Sequence, residues 1–143
     1  FKDKKIDLAS ILATDGVVIL GTAADDTLFA SNDTGASIRN VVNGYGGNDS
    51  LYGNSFKDTL NGGQGHDTLL GYGGDDVLNG EEDRDSLWGL FGSDKLNGGV
   101  GDDFLFGGDG NDYYLFEKGH GQDEIVEYTE VPYGDDGHDA SLY

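Results

Sequence analysis

Aspartate recurs every nine residues without a break, at Asp49, Asp58, Asp67, Asp76, Asp85, Asp94, Asp103 and Asp112. A glycine stands five residues before each one, at Gly44, Gly53, Gly62, Gly71, Gly80, Gly89, Gly98 and Gly107. Two residues after each Asp comes an inward candidate: Leu51, Leu60, Leu69, Leu78, Leu87, Leu96, Leu105 and then Tyr114. A fixed period of this kind marks a repeat architecture, in which each unit buries its apolar face only against its neighbours. Acidic, glycine-rich disorder is the competing reading of such a chain. Disorder, however, has no need of an apolar residue at every ninth position.

The charge balance narrows the partners. The chain has 143 residues and a formal net charge of −20, with 28 acidic against 8 basic groups. That length fits one domain. Such a charge argues against nucleic acid, which needs a basic stripe to neutralise phosphates, and against an anionic membrane surface. There is no cysteine, which removes disulfides, thiolate catalysis and Cys-type zinc sites. The acidic groups are mostly Asp, and Asp beside abundant Gly suits tight turns carrying short-reach oxygen ligands. No apolar run approaches the ~20 residues of a membrane helix, and no signal-peptide pattern is present.

Two units are especially full: Gly62-Gly63-Gln64-Gly65-His66-Asp67-Thr68-Leu69-Leu70 and Gly98-Gly99-Val100-Gly101-Asp102-Asp103-Phe104-Leu105-Phe106. They match G-G-x-G-x-D-x-U-x, and the chain resembles the RTX (repeats-in-toxin) calcium-binding nonapeptide family. The resemblance covers residues 21–126. It implies an all-β fold, a right-handed parallel β-roll. In that fold each six-residue turn is followed by a three-residue strand, and two nonapeptides make one coil of two parallel sheets. Degenerate turns extend the register. Asp26 and Leu28 hold their places in 21–29, Asn40 and Val42 theirs in 35–43, and Asp123 and Ile125 theirs in 118–126. Inserts at 30–34 and 116–117 separate them. The expected organisation is an N-terminal cap at 1–20, with a short helix at 6–12 and a strand at 17–20. The roll follows at 21–126, and then a flanking segment at 127–143. Starting at Phe1 without Met, the chain reads as one block of a longer RTX protein.

Calcium takes about 6–8 hard oxygens from carboxylates and carbonyls. Glycine lets carbonyls crowd around one point, and stacked Asp-bearing loops repel unless a cation lies between them. The resemblance implies an ion between each loop and the next loop on the same edge. The implied pairs are Asp49/Asp67, Asp58/Asp76, Asp67/Asp85, Asp76/Asp94, Asp85/Asp103 and Asp94/Asp112, about six ions. Asp26/Asp49 and Asp103/Asp123 are end sites. The glycines implied in these sites are Gly44, Gly46, Gly62, Gly63, Gly65, Gly71, Gly73, Gly80, Gly89, Gly98, Gly99, Gly101, Gly107, Gly108 and Gly110. Two loops depart from the pattern. Loop 53–58 has Phe56 and Lys57, and loop 80–85 carries Glu81, Glu82, Asp83 and Arg84. The sites using these two are expected to be weaker or empty.

A second period is superimposed on the first. The ninth residue of the unit is Asn43, Asn61, Asn79 and Asn97 in alternate turns, and Tyr52, Leu70, Trp88 and Phe106 in those between. That 18-residue period supports two distinct sheets, one outer face with an Asn ladder and the other with an apolar stripe. The stripe is either covered by a flanking segment of the same chain or a contact surface for a neighbouring domain or second copy.

No enzyme signature is present. H-E-x-x-H and G-x-S-x-G are absent, and the Asp-Gly runs do not complete an EF-hand. His66 and His120 fall at loop positions. The resemblance implies a non-catalytic, extracellular module of a type I-secreted toxin, adhesin or exoenzyme of a Gram-negative bacterium. Its partners are calcium, neighbouring domains and the secretion machinery. The alternative is a recognition module whose outer faces bind a receptor, glycan or subunit.

Overall fold

A residue that alternates with its neighbours between core and solvent favours a strand, and each unit offers x-Leu-x for this purpose. The computed structural model describes residues 16–31 and 39–127, and its regular structure there consists of short strands. In chain order these are β1 (Val18–Leu20), β2 (Thr27–Phe29), β3 (Val41–Gly46), β4 (Ser50–Tyr52), β5 (Thr59–Gln64) and β6 (Thr68–Gly73). They continue with β7 (Val77–Glu82), β8 (Ser86–Phe91), β9 (Lys95–Val100), β10 (Phe104–Asp109), β11 (Tyr113–Tyr114) and β12 (Glu124–Val126). Consecutive strands belong to different sheets. One sheet runs β1-β3-β5-β7-β9-β11 and the other β2-β4-β6-β8-β10-β12, every pairing parallel. This is the parallel β-roll that the repeat implies.

The register is set by the leucines. Leu60 pairs with Leu78 and Leu78 with Leu96, while Leu51, Leu69, Leu87 and Leu105 align in the other sheet. With Val42, these side chains form a core one residue wide, each no more than 1% exposed. Ile19, Leu28 and Tyr114 pack on its ends. Ile125 occupies the inward place of the last described rung and is 42% exposed, and among the described residues no strand pairs beyond β12.

The inserts are absorbed without loss of register. Val18 pairs with Val41 and Thr27 with Ser50, so the first coil is longer by five residues than the later ones. Phe104 pairs with Glu124, two residues beyond the regular step. Strands are longer than the three residues that the motif suggests. In β5 to β10 the pairing continues into the first half of the turn, as in Gly63↔Glu81 and Gln64↔Glu82. β4 stops at Tyr52, and the turn that follows it differs from the rest. The helix expected at 6–12, most of the 30–34 insert and the segment after Glu127 lie outside the described residues.

Both outer faces carry the rows that the second period predicts. Asn61 donates from Nδ2 to Asn43 Oδ1, and Asn79 to Asn61, each at 2.7 Å. The ladder ends at Asn97, whose buried Oδ1 has no hydrogen-bond partner, since Leu115 follows where a donor would stand. On the opposite face Phe29 stacks on Tyr52 at 4.8 Å, and Trp88 lies 5.2 Å from Phe106. Tyr52, Leu70 and Trp88 are half-buried and Phe106 is buried.

A core of single side chains has no second layer to fill a hole. Leu78→Ala is expected to destabilise the folded roll by about 2–5 kcal/mol. Val77→Ala on the outer face of the same strand should cost less than about 1 kcal/mol. Chemical denaturation of the two variants checks the difference.

Candidate metal centre

Each turn ends in an Asp whose side chain has to satisfy two oxygens inside a tight loop. One oxygen is used across the coil. Asp49 N–H donates to Asp67 Oδ1 at 2.7 Å, Asp58 to Asp76 at 2.7 Å, and Asp67 to Asp85 at 2.8 Å. The same bond joins Asp76 to Asp94, Asp85 to Asp103 and Asp94 to Asp112, each at 2.8 Å. Across the inserts, Asp26 N–H reaches Asp49 Oδ1 at 2.7 Å and Asp103 N–H reaches Asp123 Oδ1 at 3.1 Å. The structure therefore brings together the Asp neighbours that stand one coil apart.

The second oxygen is the chemical feature. Oδ2 of Asp49, Asp67, Asp76, Asp85, Asp94, Asp103 and Asp112 is buried and has no hydrogen-bond partner. Asp49, Asp58, Asp67, Asp76, Asp85, Asp94 and Asp103 are each at most 2% exposed, as buried as the leucines. Burying an unpaired carboxylate is costly unless a counter-charge meets it. Each free Oδ2 faces the first glycine of its own loop, and for Asp49, Asp67, Asp76, Asp85 and Asp94 the carbonyl of the next first glycine on that edge lies beside it. A Cβ on Gly71 would lie 2.5 Å from Asp76 Oδ2 and 3.0 Å from Gly89 O. Gly44, Gly62, Gly80 and Gly89 repeat this arrangement. The space that a Cβ would fill is thus bordered by a carboxylate oxygen and a carbonyl oxygen, the donor types that calcium selects. Among the described residues no three His, Cys, Asp or Glu side chains converge. An ion here would take much of its coordination from backbone carbonyls, and the residues present fit that demand.

The glycines sort by position. Gly63, Gly99 and Gly108 in second place, and Gly65 and Gly110 in fourth, hold φ between 98° and 141°. Gly101 also fits only without a side chain, because a Cβ would strike the Asp83 carbonyl. Gly46 and Gly73, in third place, have room: the nearest atoms to an added Cβ are 3.9 and 3.7 Å away. Their neighbours Gly47 and Gly74 carry the left-handed backbone, with φ of 102° and 110°. Sequence reasoning overlooked Gly47 and Gly74, although the fourth place of the motif is itself glycine. Loop 80–85 keeps the common geometry without glycine in second or fourth place, since Glu81 and Asp83 adopt φ of 86° and 74° and Asp85 Oδ2 stays open. Loop 53–58 does not. There Asn54 N–H donates to Asp58 Oδ2 at 2.8 Å and closes the oxygen. Asp26 Oδ2 is closed as well, by the N–H and hydroxyl of Thr22 at 2.6 and 2.9 Å.

A second ladder, not foreseen from the motif, runs along the residue before several of these Asp. Asn48 Oδ1 accepts from His66 N–H at 2.8 Å, His66 Nδ1 from Arg84 N–H at 3.2 Å, and Asp75 Oδ1 from Ser93 N–H at 3.1 Å. The chemistry of this place varies, and where the bond forms the side chain offers an acceptor to the backbone one coil later. The end of the 107–112 edge is finished by a side chain. Gly107 N–H donates to the Tyr114 hydroxyl at 2.8 Å, where Gly53 N–H finds the Leu70 carbonyl of the next coil. Burial, then a hydrogen bond with Glu127, raises the Tyr114 hydroxyl above its ordinary value.

Burial pushes the carboxyls of Asp76 and Asp85 up to about 8 and those of Asp67 and Asp94 up to about 6. The backbone N–H bond on Oδ1 opposes this, and carboxylates one coil away add to it. Asp49, Asp103 and Asp112 are raised for the same leading reason. Folded values above the unfolded 3.8 mean that this stability is fully present below pH ~4 and is lost as pH rises through 6 to 8. In chelator, the thermal midpoint is therefore expected to fall between pH 4 and pH 8, opposite to ordinary acid denaturation. Thermal melts across that range check it. Gly62→Ala should disrupt its turn, because its Cβ would overlap Asp67 Oδ2, whereas Gly46→Ala should be tolerated. Midpoints of the two variants distinguish these positions.

The comparisons with known proteins agree with this geometry. The family model described as RTX calcium-binding nonapeptide repeat (4 copies) matches residues 34–55, 39–60, 52–87, 80–114 and 88–122. No curated protein matches the chain, and no solved structure does. The matched segments together cover more than half of the sequence, and they coincide with the stacked turns that carry the open carboxylates. The chain belongs to the RTX calcium-binding nonapeptide repeat family.

Proposed function

We propose that this chain is a calcium-responsive folding module of a larger secreted protein and is not itself a catalyst. The observation that carries the reading is the row of seven buried, unpartnered Asp oxygens, five of them (Asp49, Asp67, Asp76, Asp85 and Asp94) beside a glycine carbonyl of the next coil. The interior pairs whose first Asp keeps an open oxygen are Asp49/Asp67, Asp67/Asp85, Asp76/Asp94, Asp85/Asp103 and Asp94/Asp112, with Asp103/Asp123 at the end. Bound calcium would supply the positive charge that these side chains lack.

The energetics suit a switch. Extracellular calcium modules bind at about 0.1–1 mM. At ten times Kd one site stabilises the fold by ~1.4 kcal/mol. Five or six such sites together contribute about 7–8 kcal/mol, the size of a typical domain's whole stability. Adjacent sites share a loop, so the response should be cooperative. At submicromolar calcium the charge of −20 works against compaction, and at millimolar calcium it is offset. A chain that stays unfolded inside the cell and folds outside suits type I secretion, which is the role we assign to it within an extracellular parent protein.

Calcium titration of the chain tests the proposal. Circular dichroism should report β structure appearing cooperatively at submillimolar to millimolar calcium, with Trp88 emission shifting to the blue as its ring packs on Phe104 and Phe106. β structure already complete in chelator at pH 7.5, or none by several millimolar calcium, would sink the proposal. Asp76→Asn removes an open oxygen and should raise the calcium midpoint, whereas an unchanged midpoint would refute its place in a site.

A further inference from the structure

Asp58 looks like its neighbours in the sequence and differs from them in the fold. Its Oδ2 accepts Asn54 N–H at 2.8 Å. Its Oδ1 accepts both the backbone N–H of Asn40 at 3.0 Å and the Asn40 side-chain amide at 2.8 Å. Three donors therefore satisfy a carboxylate that is 0% exposed. In the turns of Asp49, Asp67, Asp76, Asp85, Asp94, Asp103 and Asp112 only Oδ1 is bonded.

The cause lies at the second place of the turn. Tyr45, Gly63, Tyr72, Glu81, Leu90, Gly99 and Gly108 have left-handed φ there, and Asn54 does not. Without that twist, the residue 54 N–H points back into the loop. The Asn54 side chain fixes this conformation. Its Nδ2 donates to the Ser31 carbonyl and its Oδ1 accepts Phe56 N–H, both at 2.8 Å. Asn54 is itself only 6% exposed. On the other edge, Thr22 closes Asp26 Oδ2 with two donors. The closed turns are the first on each edge to carry the motif's Asp, and every open oxygen lies later in its row.

We propose that the first Asp-bearing turn on each edge, at Asp26 and at Asp58, is a metal-free turn in which hydrogen-bond donors of Thr22, Asn40 and Asn54 take the place of the positive charge that calcium supplies elsewhere. The calcium rows then start at Asp49 on one edge and at Asp76 on the other, and the Asp58/Asp76 and Asp26/Asp49 pairs hold no ion. The roll is polar in consequence. Its N-terminal end is closed by amide and hydroxyl groups and its body by ions. This inference rests on the calcium reading above and departs from a uniform array.

Native mass spectrometry of the whole chain in a calcium buffer counts the ions. Wild type, Asp58→Asn, Asp26→Asn, Asp76→Asn and Asn54→Gly are compared. Asp58→Asn and Asp26→Asn should keep the wild-type count, and Asp76→Asn should lose about one ion. Asn54→Gly frees the backbone to take the left-handed twist and opens Asp58 Oδ2, so it should gain about one ion. Calcium bound by wild type, with a count lowered as much by Asp58→Asn as by Asp76→Asn, overturns this inference while leaving the calcium reading intact. The Asn54→Gly variant keeps the inference falsifiable if Asp58→Asn fails to fold: a count equal to that of wild type overturns the role of Asn54.

Discussion

The bond from each Asp N–H to the Asp Oδ1 one coil later joins fold and charge in a single contact. It fixes the turn, so the roll cannot stack without it. It also holds like charges in a close row, so the stack cannot be stable on that bond alone. A core of single leucines adds too little apolar burial to override such repulsion at leisure. Protons relieve it at low pH, donors from the chain relieve it at Asp26 and Asp58, and a divalent cation would relieve it elsewhere. The architecture depends on neutralising that second oxygen.

Much of this was legible in the residues. The nine-residue step located every inward leucine and every Asp, and the alternation of Asn with Tyr52, Leu70 and Trp88 divided the turns correctly between two sheets. Side-chain periodicity speaks directly about faces, which is why these features were readable. Strand length was not, because the extra pairing in β5 to β10 is made by backbone groups of turn residues that any side chain permits. The closure of Asp58 was hidden for a related reason. Phe56 and Lys57 are the visible oddities of that loop, yet the residue that changes it is Asn54, through φ and a backbone N–H. The end of the 107–112 edge was hidden too, since Tyr114 reads as an ordinary inward residue and its hydroxyl takes the Gly107 N–H that a carbonyl of the next coil takes at Gly53.

Loop 80–85 shows how strongly neighbours dictate conformation in a stack. Glu81 and Asp83 stand in left-handed backbone, which costs L-residues on the order of 1–2 kcal/mol each. They hold it because β7 is paired on both sides and the next coil seats Gly99 and Gly101 directly against the Glu81 and Asp83 carbonyls. The glycines of one coil thus accommodate side chains in the coil before it. A turn that violates the motif is carried by two that keep it, which is how a quasi-one-dimensional fold tolerates degenerate units.

The two outer faces set a rule for how such a chain can lengthen. Asn43, Asn61, Asn79 and Asn97 share one face, and Tyr52, Leu70, Trp88 and Phe106 the other, in steps of 18 residues. Duplicating or deleting one coil leaves every downstream residue on its own sheet. Duplicating or deleting a single nonapeptide keeps each Leu inward and each Asp at a turn, yet it moves all later asparagines onto the aromatic side and breaks both rows at the join. Growth by gene duplication is therefore quantised in pairs of repeats, a restriction imposed by the surface while the core remains indifferent to it.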